Sequence, residues 1–76
     1  MTVHRNTLKL IDLERQVLEL GFWKKYPDKD FSYELAKATG ELGNENPSDK
    51  AIQLAEQWVT EFRETGKIKR FEEENE

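Results

Sequence analysis

The chain carries one histidine, His4, no cysteine, and sixteen acids against twelve bases. Catalytic and metal sites are assembled from these residue types, so their spacing decides what chemistry is open. A general base or a metal ligand needs convergent partners at defined separations. His4 precedes the first helical pattern and has no such partner near it, which reads as an incidental terminal histidine. Without cysteine, neither a disulfide framework nor a thiolate zinc site can form. None of the four glycines opens a GxxxxGK[ST] or GxGxxG phosphate loop. Glu61 and Glu64 have a spacing that could gather a magnesium ion, but they fall on the outer face of a helix, where solvated charge is ordinary. The acids at 34, 41 and 45 do not reproduce the paired E-x-x-E and E-x-x-D arrangement with which facing helices hold magnesium. The expectation is no enzyme: no catalytic residue, no cofactor, no metal.

The elements that would position any site must come from one small domain. At 76 residues the chain supports a single core and sits near the lower edge of what folds alone. MTVHRNTLKL lacks the apolar run of a secretory signal, and no stretch approaches the roughly 20 apolar residues that cross a bilayer. The tripeptide Asn46-Pro47-Ser48 has proline at the centre and is no glycosylation acceptor. These features lead to the expectation of a cytoplasmic protein with no membrane association. The net charge of −4 belongs to the end of the chain. FEEENE holds four glutamates, and without them acids and bases balance at twelve each. Residues 72–76 are therefore expected to be an acidic, disordered tail. A balanced body argues against a strong electrostatic hold on nucleic acid.

Periodicity predicts a mainly α protein, a small three-helix bundle with helices at about 7–20, 31–39 and 47–65 and a flexible stretch at 1–6. Asn6 or Thr7 can cap the first helix and Gly21 can end it. Leu10, Leu13, Val17 and Leu20 form one stripe, flanked by Ile11 and Leu18, over an arc of about 180°. Glu14 projects onto the middle of that arc. It must reach water there, pair with a base such as Arg15, or sit partly buried. Phe31, Leu35 and Ala38 define the second helix, with Asp30 or Ser32 as its cap. GELGNEN follows as a loop. Asn46 followed by Pro47 is a start signal for the third helix. Ala51, Ile52, Leu54, Ala55, Trp58, Val59 and Phe62 share one face of that helix, and Gly66 stops it. KIKRF, at 67–71, is predicted as a short strand with Ile68 inward, or as a frayed basic segment.

FSYELAKATG, a turn, the helix from Pro47 to Thr65 and then GKIKRF together resemble the middle of a winged helix-turn-helix. The resemblance covers roughly residues 30 to 71 and implies a positioning helix, a recognition helix and the first strand of a wing. It would place Ser48, Lys50, Gln53 and Gln57 at base edges and Lys67, Lys69 and Arg70 at phosphates. Two departures weigh against it. The turn exceeds the 3–4 residues of the motif. The recognition face also sets Asp49, Glu56, Glu61 and Glu64 against Lys50 and Arg63, a poor match to phosphate.

Five of the eight aromatic residues lie within GFWKKYPDKDFSY, residues 21–33. Phe31 belongs to the core stripe of the second helix, whereas Tyr33 lies opposite. Packing can absorb one or two of Phe22, Trp23 and Tyr26 at the corner between two helices. Aromatics interleaved with lysines also have the anchor-and-rim composition of a protein interface. The sequence therefore predicts a non-catalytic interaction or regulatory module that binds a protein partner, or itself. Its contact residues would be Phe22, Trp23, Lys24, Lys25, Tyr26, Lys29 and Tyr33. The width of the first apolar arc fits either a central helix buried on both sides or a homodimer contact through Leu10, Leu13, Val17 and Leu20. The alternative is a helix-turn-helix-like nucleic-acid binder using the residues named above.

Overall fold

The computed structural model describes residues 4–43 and 45–73. All regular structure among them is helical: α1 Arg5–Glu19, α2 Phe22–Lys25, α3 Phe31–Thr39, α4 Asp49–Thr65 and α5 Lys69–Glu73. Three longer helices form the bundle, with α1 laid mainly along α4 and α3 packed on both. The two short helices close one side of it.

α1 begins earlier than its apolar pattern indicates, because His4 acts as its cap. The ring Nδ1 accepts the Asn6 amide hydrogen bond at 3.1 Å. That leaves the Asn6 side chain free to bind elsewhere. Its Nδ2 donates to Pro47 O at 3.0 Å and to Asp49 Oδ1 at 2.9 Å, and the residue is buried. Thr7 donates to Asn46 Oδ1 beside it. The expected flexible stretch at 1–6 is thus corrected for residues 4–6, which open α1 and tie it to the start of α4. Residues 1–3 lie outside the described residues.

Gly21 sits at φ +98°, in the left-handed region, where a side chain would be strained. It ends α1 and turns the chain so that Phe22 enters the core at 0% exposure. Asp30 caps α3 by accepting the Tyr33 amide at 3.1 Å. The cap of α4 is Ser48, whose Oγ accepts the Ala51 amide at 3.2 Å. Asn46 and Pro47 lie just before it, bound instead to Thr7 and Asn6. Tertiary partners have taken the atoms that would have capped the helix.

The segment expected as a wing strand is different. After Gly66 the chain turns at Lys67 and Ile68 and enters α5. A strand would need a neighbouring edge to satisfy its backbone, and no strand exists among the described residues. As a helix, the segment instead sends Ile68 and Phe71, three residues apart, into the core with both fully buried. Glu72 and Glu73 belong to α5, not to a disordered tail; positions 74–76 lie outside the described residues.

The α1 stripe also points inward. Val17 is fully buried, and Leu10 and Leu13 pack against the core cluster. Leu10 and Leu13 stay half-buried and Leu20 is exposed. Glu14 is half-buried in the arc and accepts a hydrogen bond from Ser32 Oγ at 3.0 Å. That bond joins α1 to α3 and accounts for a carboxylate at this position.

Phe22 is the hub of the core. Its ring lies 5.5 Å from Tyr26, 5.8 Å from Phe31, 6.1 Å from Phe62 and 6.0 Å from Phe71, centroid to centroid. Edge-to-face pairs of this kind add about 0.5–1.5 kcal/mol each beyond burial. Phe22→Ala should destabilise the domain by about 3–5 kcal/mol, a large share of the stability of so small a fold. Urea unfolding followed by circular dichroism checks this, and a loss below about 1 kcal/mol would contradict the hub assignment.

Candidate functional site

The aromatic–basic connector divides into two populations. Phe22 and Tyr26 are buried, so they support the surface from beneath and do not form it. This corrects the expectation that they are contact residues. The cause is the left-handed turn at Gly21, which rolls α2 so that positions 22 and 26 face inward together. Trp23 is 50% exposed and Tyr33 54% exposed. Trp23 stands edge-on to Phe22 at 6.0 Å, which fixes a large apolar side chain on a rigid base. Leu20, 43% exposed, lies just before the same turn.

The lysines are used unevenly. Lys24 is exposed. Lys25 Nζ lies 3.7 Å from Glu72 Oε2 and 5.9 Å from the Tyr26 ring. Lys29 is half-buried, with its ammonium 5.7 Å from the Phe71 ring. Two of the three rim cations therefore also hold α5 against the connector.

Tyr26 connects these parts. Its hydroxyl donates to Glu72 Oε2 at 2.6 Å and accepts the Ile68 amide hydrogen bond at 2.9 Å. Burial, then the hydrogen bond to Glu72, pushes the phenol up to about 12, and the Ile68 amide opposes that shift in part. The donated hydrogen bond from Tyr26, reinforced by Lys25 and Lys67, holds the Glu72 carboxyl below its usual range.

The residues of the nucleic-acid alternative are dispersed in role. Ser48 is the α4 cap, with its amide and hydroxyl both bound to Glu41. Lys50, Gln53 and Gln57 are exposed along α4. The groove over that face also carries Glu56, Glu61 and Glu64. Arg63, the other base there, donates to Gln16 Oε1 at 2.9 Å. Lys67, Lys69 and Arg70 are exposed beyond the helix, but Glu61 and Glu72 share the recess of the two lysines.

Sequence reasoning passed over Glu34, which is 7% exposed with Oε1 unpartnered. Its signal was present: position 34 lies about 40° from Ala38 on the helical wheel, at the border of the apolar stripe. Leu8 and Ile11, on the outer side of α1, are exposed as well.

No three histidine, cysteine or acidic side chains gather to hold a metal ion among the described residues, and no helix there is long and apolar enough to cross a membrane. No protein-family model matches the chain, and no curated protein or solved structure matches it.

The Tyr26 node sets a pH dependence. A phenol whose pKa is raised on folding contributes stability that is fully present below its unfolded value and lost as pH rises through the folded one. Stability should therefore fall between about pH 10 and about pH 12, by about 2–3 kcal/mol in all. Tyr26→Phe should remove most of this slope while keeping the ring. Urea midpoints measured across that window check it, and equal slopes in the two proteins would refute it.

Proposed function

We propose that the chain is a small, non-catalytic interaction module of the cytoplasm that binds a protein partner through the face around Trp23. The observation that carries this reading is the half-exposed indole held edge-on against the buried Phe22. Large aromatics on rigid supports are the usual anchors of protein interfaces, because they bury much area and lose little conformational entropy. Lys24 and Lys25 beside the indole supply the polar rim. Tyr33, on α3, provides a further exposed aromatic, and Leu20 extends the apolar surface. An interaction role also suits the single histidine, whose ring serves as a helix cap. The acidic groove along α4 is better matched to a protein than to phosphate.

Trp23→Ala/Tyr33→Ala should keep the fold, with a stability loss of no more than about 1 kcal/mol for side chains so exposed. Binding of a partner captured by the wild-type chain should weaken at least about a hundredfold, as expected for the loss of interface hot spots. Capture with both proteins, followed by affinity measurement on the purified complex, makes the comparison. A partner held equally by the double variant would remove the Trp23 face from consideration. Nucleic acid recovered with both would favour the helix-turn-helix alternative.

A further inference from the structure

α1, α3, the loop before α4 and the first turn of α4 form a cleft of about 210 Å³. Leu10, Ala36 and Pro47 line it with half-buried apolar surface above the core residues Leu35 and Ala51, and Glu41, Glu45 and Asn46 add polar groups. No lysine or arginine is among its lining residues. Ser32, also in the lining, brings in a third carboxylate by donating to Glu14 Oε2 at 3.0 Å. The volume lies below the roughly 300–1,000 Å³ of pockets that hold small-molecule ligands, and it is nearer the scale of one inserted side chain.

The two ends of the loop are bonded to each other, and its later end is bonded to α1. Ser48 donates its amide to Glu41 Oε1 at 3.1 Å and its hydroxyl to Oε2, while Thr7 binds Asn46. Both Glu41 oxygens are therefore fixed in place, yet a carboxylate offers about four acceptor positions, so it can still take a further donor. Glu45 is exposed at the mouth. Apolar walls with the carboxylates of Glu41 and Glu45 beside them, and no cation in the lining, are complementary to an alkyl chain ending in a cation.

We infer that this cleft receives a lysine or arginine side chain of a protein partner. The methylenes lie on Leu10, Ala36 and Pro47, and the charge meets Glu45 and Glu41. The inference rests on the protein-binding reading only for the source of that side chain. Its test uses isolated probes, so it can fail or succeed independently of the Trp23 face.

The full chain, labelled with nitrogen-15, is titrated at low salt with N-acetyl-lysine methylamide, its arginine counterpart and the neutral norleucine isostere. A cationic probe should saturate with a dissociation constant in the millimolar range, as its size allows. The amide shifts should concentrate at Leu35, Ala36, Glu45 and Ala51. Norleucine should bind at least about tenfold more weakly, and Glu45→Gln should weaken the cationic probe about threefold, the scale of an exposed ion pair. Glu45 is chosen because its side chain caps nothing, whereas Glu41 supports the start of α4. Equal response to norleucine, shifts spread over the acidic surface, an unchanged affinity in Glu45→Gln, or no saturation by either cation would each overturn the assignment.

Discussion

The rest of this structure depends on the burial of Phe22 directly after a left-handed glycine. A chain of this size has only one core to build, and five aromatic rings converge around that residue: Phe22 itself, Tyr26, Phe31, Phe62 and Phe71. They come from α2, the connector after it, α3, α4 and α5. Among the described residues, no other aromatic ring pairs with so many others. Because the turn at Gly21 fixes which side of α2 faces inward, it also fixes which side faces out. The exposure of Trp23 is the geometric consequence of Phe22 being buried.

Two polar assemblies complete the packing at opposite ends. At one end, Asn6, Thr7, Asn46, Pro47 and Asp49 bind the start of α1 to the start of α4. At the other, the Tyr26 hydroxyl receives the Ile68 amide and donates to Glu72, which draws the short α5 onto the aromatic cluster. A five-residue helix has no stability of its own. It persists because Ile68 and Phe71 are buried and because its carboxylate has a fixed donor. Trp58 closes against Phe71 at 5.2 Å, so α5 is an integral wall of the core.

These constraints bear on function through what they leave outside. The two apolar groups flanking the Gly21 turn, Leu20 and Trp23, are exposed at positions that the backbone holds rigidly. Beside the cleft, Glu41 is bonded to Ser48 and Thr7 to Asn46. Both surfaces are therefore preformed, which reduces the ordering cost of association. The acids along the outside of α4 set the electrostatic character of that face.

The sequence by itself determined the helical class and the face of α4 that is buried, and it narrowed the cap of α3 to Asp30 or Ser32. Each follows from local spacing: Ala51, Ala55, Trp58, Val59 and Phe62 recur at helical intervals, and Asp30 precedes an apolar turn at the distance a cap requires. Gly21 and Gly66 announced their stops because a left-handed residue is nearly always glycine. Only the tertiary structure decided where α1 and α4 begin, since the side chains that could have capped them locally found partners about forty residues away. It likewise decided that the chain turns at 67–68 and is helical over 69–73, because the segment had no strand among the described residues to pair with and an aromatic cluster to cover. The division of Phe22, Trp23 and Tyr26 between core and surface was beyond sequence reasoning for the same cause. Three neighbouring rings have equal claims on burial until the direction of one glycine turn selects among them.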